Sequence, residues 1–278
     1  MKNEWRYYNH AMVPNGYPGN EPDLTPLQNG KIWEKPGYPL LARWVTDYDC
    51  GEPTEWWYCI KDSEYRIDTL NSKKRYRITK GRKNFDVQII DEDDYIKDLV
   101  IVQQSAYQNY PEKYRPSYSL DTIIKQIEGW KNQRHKVFAA FSRDGSNLSG
   151  YALINEYDQY YYFAQLKALP EREKEEVNAA LIDAVLLYYN ESISKGKPIV
   201  DGQRNILHET SFQDYLCRYF QFRKAFCTLQ IQYRPWVGVA VNILYPFRRI
   251  ILKKNGKLWH SVSSVLLMEE IKRSFKKV

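Results

Sequence analysis

The sequence predicts an α/β fold built on a mixed sheet with helices on both faces. Three observations predict it. From residue 85 onward, stretches with alternating apolar residues take turns with stretches that repeat every three or four. The resulting order is β-α-α-β-β-β-α-β-α-β. Its middle is an antiparallel meander, and its end is a crossover unit. Residues 1–84 stand before this order as an N-terminal extension.

The extension has two parts. Residues 1–40 carry Pro14, Pro18, Pro22, Pro26, Pro36 and Pro39 with four glycines. Such a stretch does not sustain a helix or a central strand, so an extended arm is expected. Its aromatics, Trp5 and Trp33 among them, suit packing onto the body. Residues 41–84 form a β-rich, basic lead-in. β-branched and aromatic residues favour short strands around Trp44 and Trp56–Ile60. From Ser72 to Lys83 there are seven cations and no acid. Arg75 and Arg77 alternate as on a strand, which would place both on one face.

The core domain is expected over 85–235. Phe85, Val87 and Ile89 make 85–90 a strand. Tyr95, Ile96, Leu99, Val102 and Ala106 make a helix over 93–108. Leu120, Ile123, Ile124, Ile127 and Trp130 make a second, with Ser119 or Asp121 near its start. Strands follow at 136–142, 151–157 and 160–167, the first two around a turn at 143–147. A long helix is expected over 171–194, with Pro170 before it and Gly196 after it. Then come a short buried strand at 197–200, a helix over 211–220 and a strand over 223–233. Residues 236–278 form a C-terminal region. The apolar stretch 235–247 is a core segment or a surface loop, and a last helix covers 264–276.

Composition excludes several classes. The chain has 278 residues, 43% hydrophobic, 27% charged and 15% aromatic, which is globular composition. No apolar run approaches a membrane span of ~20 residues. The start lacks an apolar signal core, so a cytoplasmic location is expected. Cys50, Cys59, Cys217 and Cys227 have no C-x-x-C spacing and the four histidines are scattered, so no metal site is expected. No two glycines are separated by a single residue, which excludes G-x-G-x-x-G, and no P-loop occurs.

The element order resembles the GNAT acyltransferase fold. The stretch Gly150–Ile154, Ala168-Leu169-Pro170, Val177–Leu181, Asp201–Asn205, Ser211-Phe212 and Tyr219–Lys224 resembles the FemA/FemB-like branch of that fold, over roughly residues 85–235. Arg75–Ile78, Lys80-Gly81 and Asn84-Phe85 also resemble the entry to the domain in that group. The resemblance implies an acyltransferase associated with cell-envelope or surface-polysaccharide synthesis. It implies no permanently bound cofactor, and acyl-CoA or aminoacyl-tRNA as the donor. One departure matters. Where acetyl-CoA-using relatives carry a glycine-bearing pyrophosphate loop, residues 168–178 have no glycine but do have Glu171, Glu173, Glu175 and Glu176. Acids suit a helix N-terminus but repel a pyrophosphate.

Candidate chemistry falls into three sets. Asp201 follows a short buried strand, and a partly buried carboxylate there would serve as general base toward an amine. His208, Glu156 and Tyr161 are the other candidates for acid–base work, although the sequence leaves open which tyrosine would protonate a leaving group. Arg75, Arg77, Lys80, Lys83 and Arg204 would hold donor phosphates. Trp44, Asp47, Trp56, Trp57 and Gln203 would form a sugar platform. Against these stand plainer roles: a solvated basic hairpin, a turn at Asp201-Gly202, and tryptophans in the core.

The expected function is transfer of an acyl or aminoacyl group to an amine, such as that of a free or lipid-linked amino sugar. tRNA is an expected partner; DNA is not. Nine cations between residues 248 and 277, beside the apolar 235–247 stretch, suit weak contact with the inner face of an anionic membrane. Two competing functions are an RNA-binding protein that uses the basic run and a non-catalytic module that binds carbohydrate or a partner.

Overall fold

A computed structural model describes residues 4–108, 119–143, 145, 147–206, 211–254 and 256–275. The expected mixed α/β architecture is present. The N-terminal arm is more ordered than its prolines suggest. Strands β1 (Glu4–Tyr8) and β2 (Ala11–Asn15) form a hairpin. Its turn residues Asn9 and His10 have φ of 47° and 60°, as a tight two-residue hairpin turn requires. The first proline, Pro14, lies past the two positions, Ala11 and Met12, that pair with the next strand. It costs no ladder bond there. Pro26 sits at the start of the short helix α1 (Thr25–Gln28), where its missing N–H is harmless. Strands β3 (Leu41–Thr46) and β4 (Trp56–Lys61) follow.

The basic run corrects a second expectation. It is helix α2 (Ser72–Asn84), not a strand or hairpin. Asn71 caps it by accepting from the Lys74 amide at 3.0 Å. Lys and Arg are good helix formers, and Ile78 and Gly81 alone are buried. With a single large apolar contact, the helix has no apolar stripe to reveal it. Arg75 and Arg77 therefore point about 200° apart, at ~100° per residue.

The predicted core order is present element by element. Strand β5 (Phe85–Ile90) leads to α3 (Ile96–Gln108) and α4 (Leu120–Glu128), which Ser119 caps. Strands β6 (His135–Ser142), β7 (Leu148–Glu156) and β8 (Tyr161–Ala168) form the meander. Of the turn between β6 and β7, Asp144 and Ser146 lie outside the described residues. Helix α5 (Val177–Ser194) starts later than expected, because Glu176 at φ 69° breaks it from a 3-10 turn at Pro170–Glu175. Strand β9 (Ile199–Gln203), α6 (Ser211–Phe220) and β10 (Arg223–Tyr233) complete the order. The apolar stretch then forms α7 (Pro235–Leu244), followed by α8 (Arg248–Ile251) and α9 (Lys257–Ser274).

The chain divides into two compact units. One comprises Met1–Cys59, Gln203–Ser211 and Lys224–Val278. Its strands run in the order β1-β2-β3-β10-β4, and Trp56, Cys227, Leu229 and Met268 lie in its core. The other comprises Ile60–Gly202 and Phe212–Arg223, with strands in the order β9-β8-β7-β6-β5. Leu99, Ile123, Ile127, Trp130, Tyr151 and Leu153 form a core between its sheet and α3–α4.

Candidate functional site

The second unit holds a fork in its sheet. Strands β8 and β9 pair in parallel at Tyr161↔Ile199 and Tyr162↔Val200, and the described pairing stops there. Beyond Tyr162, β8 continues along β7, with a register shift between Leu153 and Ile154. Helix α6 covers one side of the fork, where Phe212 meets Phe163 edge-on with ring centroids 5.8 Å apart.

Asp201 lies on β9 just past the last pair. It is partly buried, and its carboxyl accepts a hydrogen bond from Gln213 of α6 near Cys217. Burial pushes its pKa up from the usual carboxylate range to about 7, and the Gln213 bond only partly offsets this. Such a carboxyl can give or take a proton near neutrality. The next residue, Gly202, has φ 114°, a conformation that L side chains rarely adopt. A Cβ there would lie 3.6 Å from the Tyr162 hydroxyl, so that phenol stands beside the fork.

The N-terminus of α5 is crossed by α2. A Cβ on Gly81 would come within 2.7 Å of the Glu176 carbonyl oxygen, so only glycine permits this approach. The crossing places Arg77 against Glu176 at 2.8 Å, with its guanidinium over the rings of Tyr219 (4.6 Å) and Tyr215 (5.2 Å) of α6. Arg82 binds the buried Asp183 through two nitrogens, at 2.7 and 2.9 Å, and Tyr65 donates to the same carboxylate at 2.8 Å. Lys80 donates to the Lys174 carbonyl at 2.7 Å, and Arg172 pairs with Glu175 at 3.1 Å. The acids of 171–176 are therefore not a bare negative mouth, because Glu175 and Glu176 are paired with cations.

The phosphate candidates consequently divide. Arg77 is committed to Glu176, and Arg75 donates to the Asp68 carbonyl at 3.1 Å. Lys80 and Lys83 line a shallow depression of ≈ 290 Å³ on α2, with Tyr76, Thr79 and Asn84. Glu156 and Tyr161 come together with Tyr189 at the start of β8, where Tyr161 points to the opposite face of the sheet from its neighbour Tyr162. Tyr189 donates to Glu156 at 2.8 Å, Tyr161 is buried with its ring 4.0 Å from that of Tyr189, and Lys197 lies over Tyr161 at 4.1 Å. The closed aromatic contact leaves Tyr161 a packing role, whereas Tyr162 reaches the fork. His208 lies outside the described residues.

The remaining candidates belong to the first unit. Trp56 is fully buried and offers no face to a sugar, which corrects its place in the expected platform. Trp44 packs edge-on against Trp5 at 6.1 Å. Trp57 is partly buried beneath the Lys224 ammonium at 4.4 Å. Asp47 is exposed and accepts from Thr46 at 3.1 Å. Gln203, with its amide oxygen turned to Arg43, accepts from that buried guanidinium at 3.1 and 2.5 Å. Arg204 binds Glu55 through both its carbonyl (2.6 Å) and its carboxylate (3.0 Å).

Three residues on or facing β8 and β9 escaped sequence reasoning. Gln213 and Cys217 stand at i and i+4 on α6, so their shared face was legible from spacing once Asp201 was placed opposite. Lys167 was not legible. It lies on β8 over Tyr107 at 4.3 Å, and burial lowers its pKa to about 8.

No protein-family model matches the chain, and no curated protein matches it in sequence. Solved structures do resemble it. L-PGS from Bacillus licheniformis is 13% identical, covers 97% of this chain and 85% of its own, and has a TM-score of 0.50. The C-terminal DUF2156 domain of a protein from Agrobacterium fabrum, described as a lysylphosphatidylglycerol synthetase, is 10% identical. It covers 86% of this chain and 84% of its own at a TM-score of 0.51. A GNAT-family acetyltransferase from Desulfovibrio desulfuricans covers 39% of this chain and 66% of its own, with 17% identity and a TM-score of 0.29. The chain has a GNAT-like acyltransferase fold.

Proposed function

We propose that the chain is an N-acyltransferase that uses Asp201 as the base. The observation that carries this reading is a carboxyl with a pKa of about 7 at the point where β8 and β9 part. The acceptor amine loses a proton to Asp201 as its nitrogen bonds to the carbonyl carbon of the donor. A main-chain N–H of β8 beyond Tyr162 would stabilise the oxyanion. The C–S or C–O bond to the leaving group then breaks, and Tyr162 supplies the proton that the leaving group takes. The donor is an acyl thioester of coenzyme A or an aminoacyl-tRNA, with its phosphates on Lys80 and Lys83. The acceptor is an amine of an amino sugar in surface-polysaccharide or cell-envelope synthesis. The FemA/FemB-like sequence pattern supports that finer assignment. The names of the similar structures, which refer to an aminoacylated lipid, support group transfer more broadly.

The test pairs activity with stability. Asp201→Asn should lower kcat/KM by roughly 10²–10⁴ with whichever donor turns over. In the intact protein, kcat/KM should rise with pH through about 7 as Asp201 ionises. Stability should run the other way. The native carboxyl holds its proton above the unfolded value, so the folded state binds more protons between roughly pH 4 and 7, and stability falls as pH rises through that window. Asp201→Asn should then raise Tm by a few degrees at pH 8. An unchanged rate in the variant, or no binding of either donor by the intact chain, would remove the enzymatic reading. A second reading, RNA binding by the exposed Lys73, Arg75, Tyr76 and Lys83 of α2, predicts RNA affinity that falls steeply with salt but no transfer.

A further inference from the structure

Helix α7 has two unlike faces. Val237 and Val241 are buried, and with Ile251 and Leu266 they form a small core with α9. Trp236, Val239 and Ile243 are 61%, 62% and 62% exposed. At ~100° per residue they fall within an arc of about 60°. Past α7 a 3-10 turn at Tyr245–Phe247, in which Phe247 has φ, ψ of −94°, 6°, leads directly into α8. Phe247 and Ile250 extend the same three-and-four spacing and are 56% and 63% exposed. From Trp236 to Ile250 this apolar row is about 21 Å long at 1.5 Å per residue. Isolated exposed apolar residues are ordinary, but a contiguous row marks an interaction surface.

The charges beside the row select its occupant. Arg249, Lys253 and Lys254 are exposed next to Phe247 and Ile250. Arg249 and Lys253 make no ion pair among the described residues, and Lys254 lies over the ring of Trp259 at 4.2 Å. The acids between residues 234 and 278 are Glu269 and Glu270, and both are engaged. Glu269 is buried and binds Arg273 and Tyr233, while Glu270 binds Arg248. A row of Trp, Val, Ile and Phe edged by uncompensated cations complements an apolar phase bounded by anions. No helix among the described residues is long and apolar enough to cross a membrane, so this one would lie in the interface plane.

We infer that the outer face of α7–α8 is a docking surface for an anionic lipid bilayer. Trp236, Val239, Ile243, Phe247 and Ile250 enter the headgroup–acyl boundary, and Arg249, Lys253 and Lys254 meet the lipid phosphates. The inference does not rest on the acyl-transfer reading, and vesicle binding measures it without any donor or acceptor.

Flotation of the full chain with vesicles tests it. Vesicles of phosphatidylcholine with about one-third phosphatidylglycerol should bind at least tenfold more tightly than pure phosphatidylcholine, and less so as salt rises. The double variant Arg249→Gln/Lys253→Gln should lose roughly 20-fold, near fivefold per cation. The double variant Val239→Asn/Ile243→Asn should lose at least tenfold, with an unchanged circular-dichroism spectrum and Tm. Equal binding to both vesicle types, or variants that bind like the wild type, would overturn the inference. So would sedimentation showing that the chain self-associates without lipid and that Val239→Asn/Ile243→Asn makes it monomeric, since a second copy would then be the occupant.

Discussion

Two basic regions of this protein use their cations in opposite ways. In α2, Arg77 and Arg82 turn inward onto Glu176 and the buried Asp183, and the Tyr65 hydroxyl donates to the same Asp183 carboxylate. In α7–α8, Arg249 and Lys253 stay in solvent beside apolar side chains that nothing described covers. The difference lies in the acids. The α2 region faces an acid-rich segment and Asp183 of α5, whereas the C-terminal region has only Glu269 and Glu270, both engaged elsewhere. A cation run is thus structural or available according to what its fold places opposite.

Substitutions can break that comparison, and the largest effect should come from the inward pairs. Asp183→Ala leaves Arg82 and the Tyr65 hydroxyl without their shared acceptor in a site where the carboxylate was 3% exposed. A loss of about 3 kcal/mol is expected, discounted from a fully buried pair because Arg82 is partly in solvent. Urea unfolding would read it, and a loss below about 1 kcal/mol would show that the α2 cations are as idle as surface charges. Next come the glycines. Gly81→Ala should cost about 2 kcal/mol, because its Cβ would strike backbone atoms of α5 at 2.7 and 2.9 Å. Gly238→Ala, on α7, meets nothing closer than the Tyr233 Cβ at 3.5 Å and should stabilise by about 0.5–1 kcal/mol. Thermal unfolding of both variants sharpens the contrast between a tightly crossed helix and a loosely seated one. The smallest effect should come from Arg249→Gln/Lys253→Gln, with stability unchanged to within about 0.5 kcal/mol at any salt concentration. A larger loss of Tm would place those cations in hidden structure instead of solvent.

Much of the fold was legible because the signals were local. The alternation at Phe85, Val87 and Ile89 and the three-and-four spacing at Leu99, Val102 and Ala106 fix strand and helix before any packing is known. Ser119 takes the capping role that its position suggested. The elements misread were those whose pattern depends on a partner. Arg75-Tyr76-Arg77-Ile78-Thr79 alternates like a strand, yet it is helical: Ile78 is buried and Gly81 lets the helix seat closely on the start of α5. The apolar 235–247 stretch looked like core or loop. It is an amphipathic helix because Val237 and Val241 pack with α9 while Trp236, Val239 and Ile243 stay exposed.

The candidate site was legible to a lesser degree. Asp201 was visible as a carboxylate after a short apolar strand, but nothing in the sequence placed Gln213 against it. The choice of Tyr162 over Tyr161 turned on strand register and a ring contact with Tyr189 across more than twenty residues.

By itself, the sequence determined the order of strands and helices from residue 85 and the uneven spread of charge. Both follow from near-neighbour rules of periodicity, capping and composition. Only the tertiary structure decided which cations are spent on acids, which tryptophan is buried and which carboxyl holds its proton near neutrality. Those outcomes depend on desolvation and on contacts between residues far apart in the chain, and no local pattern encodes either.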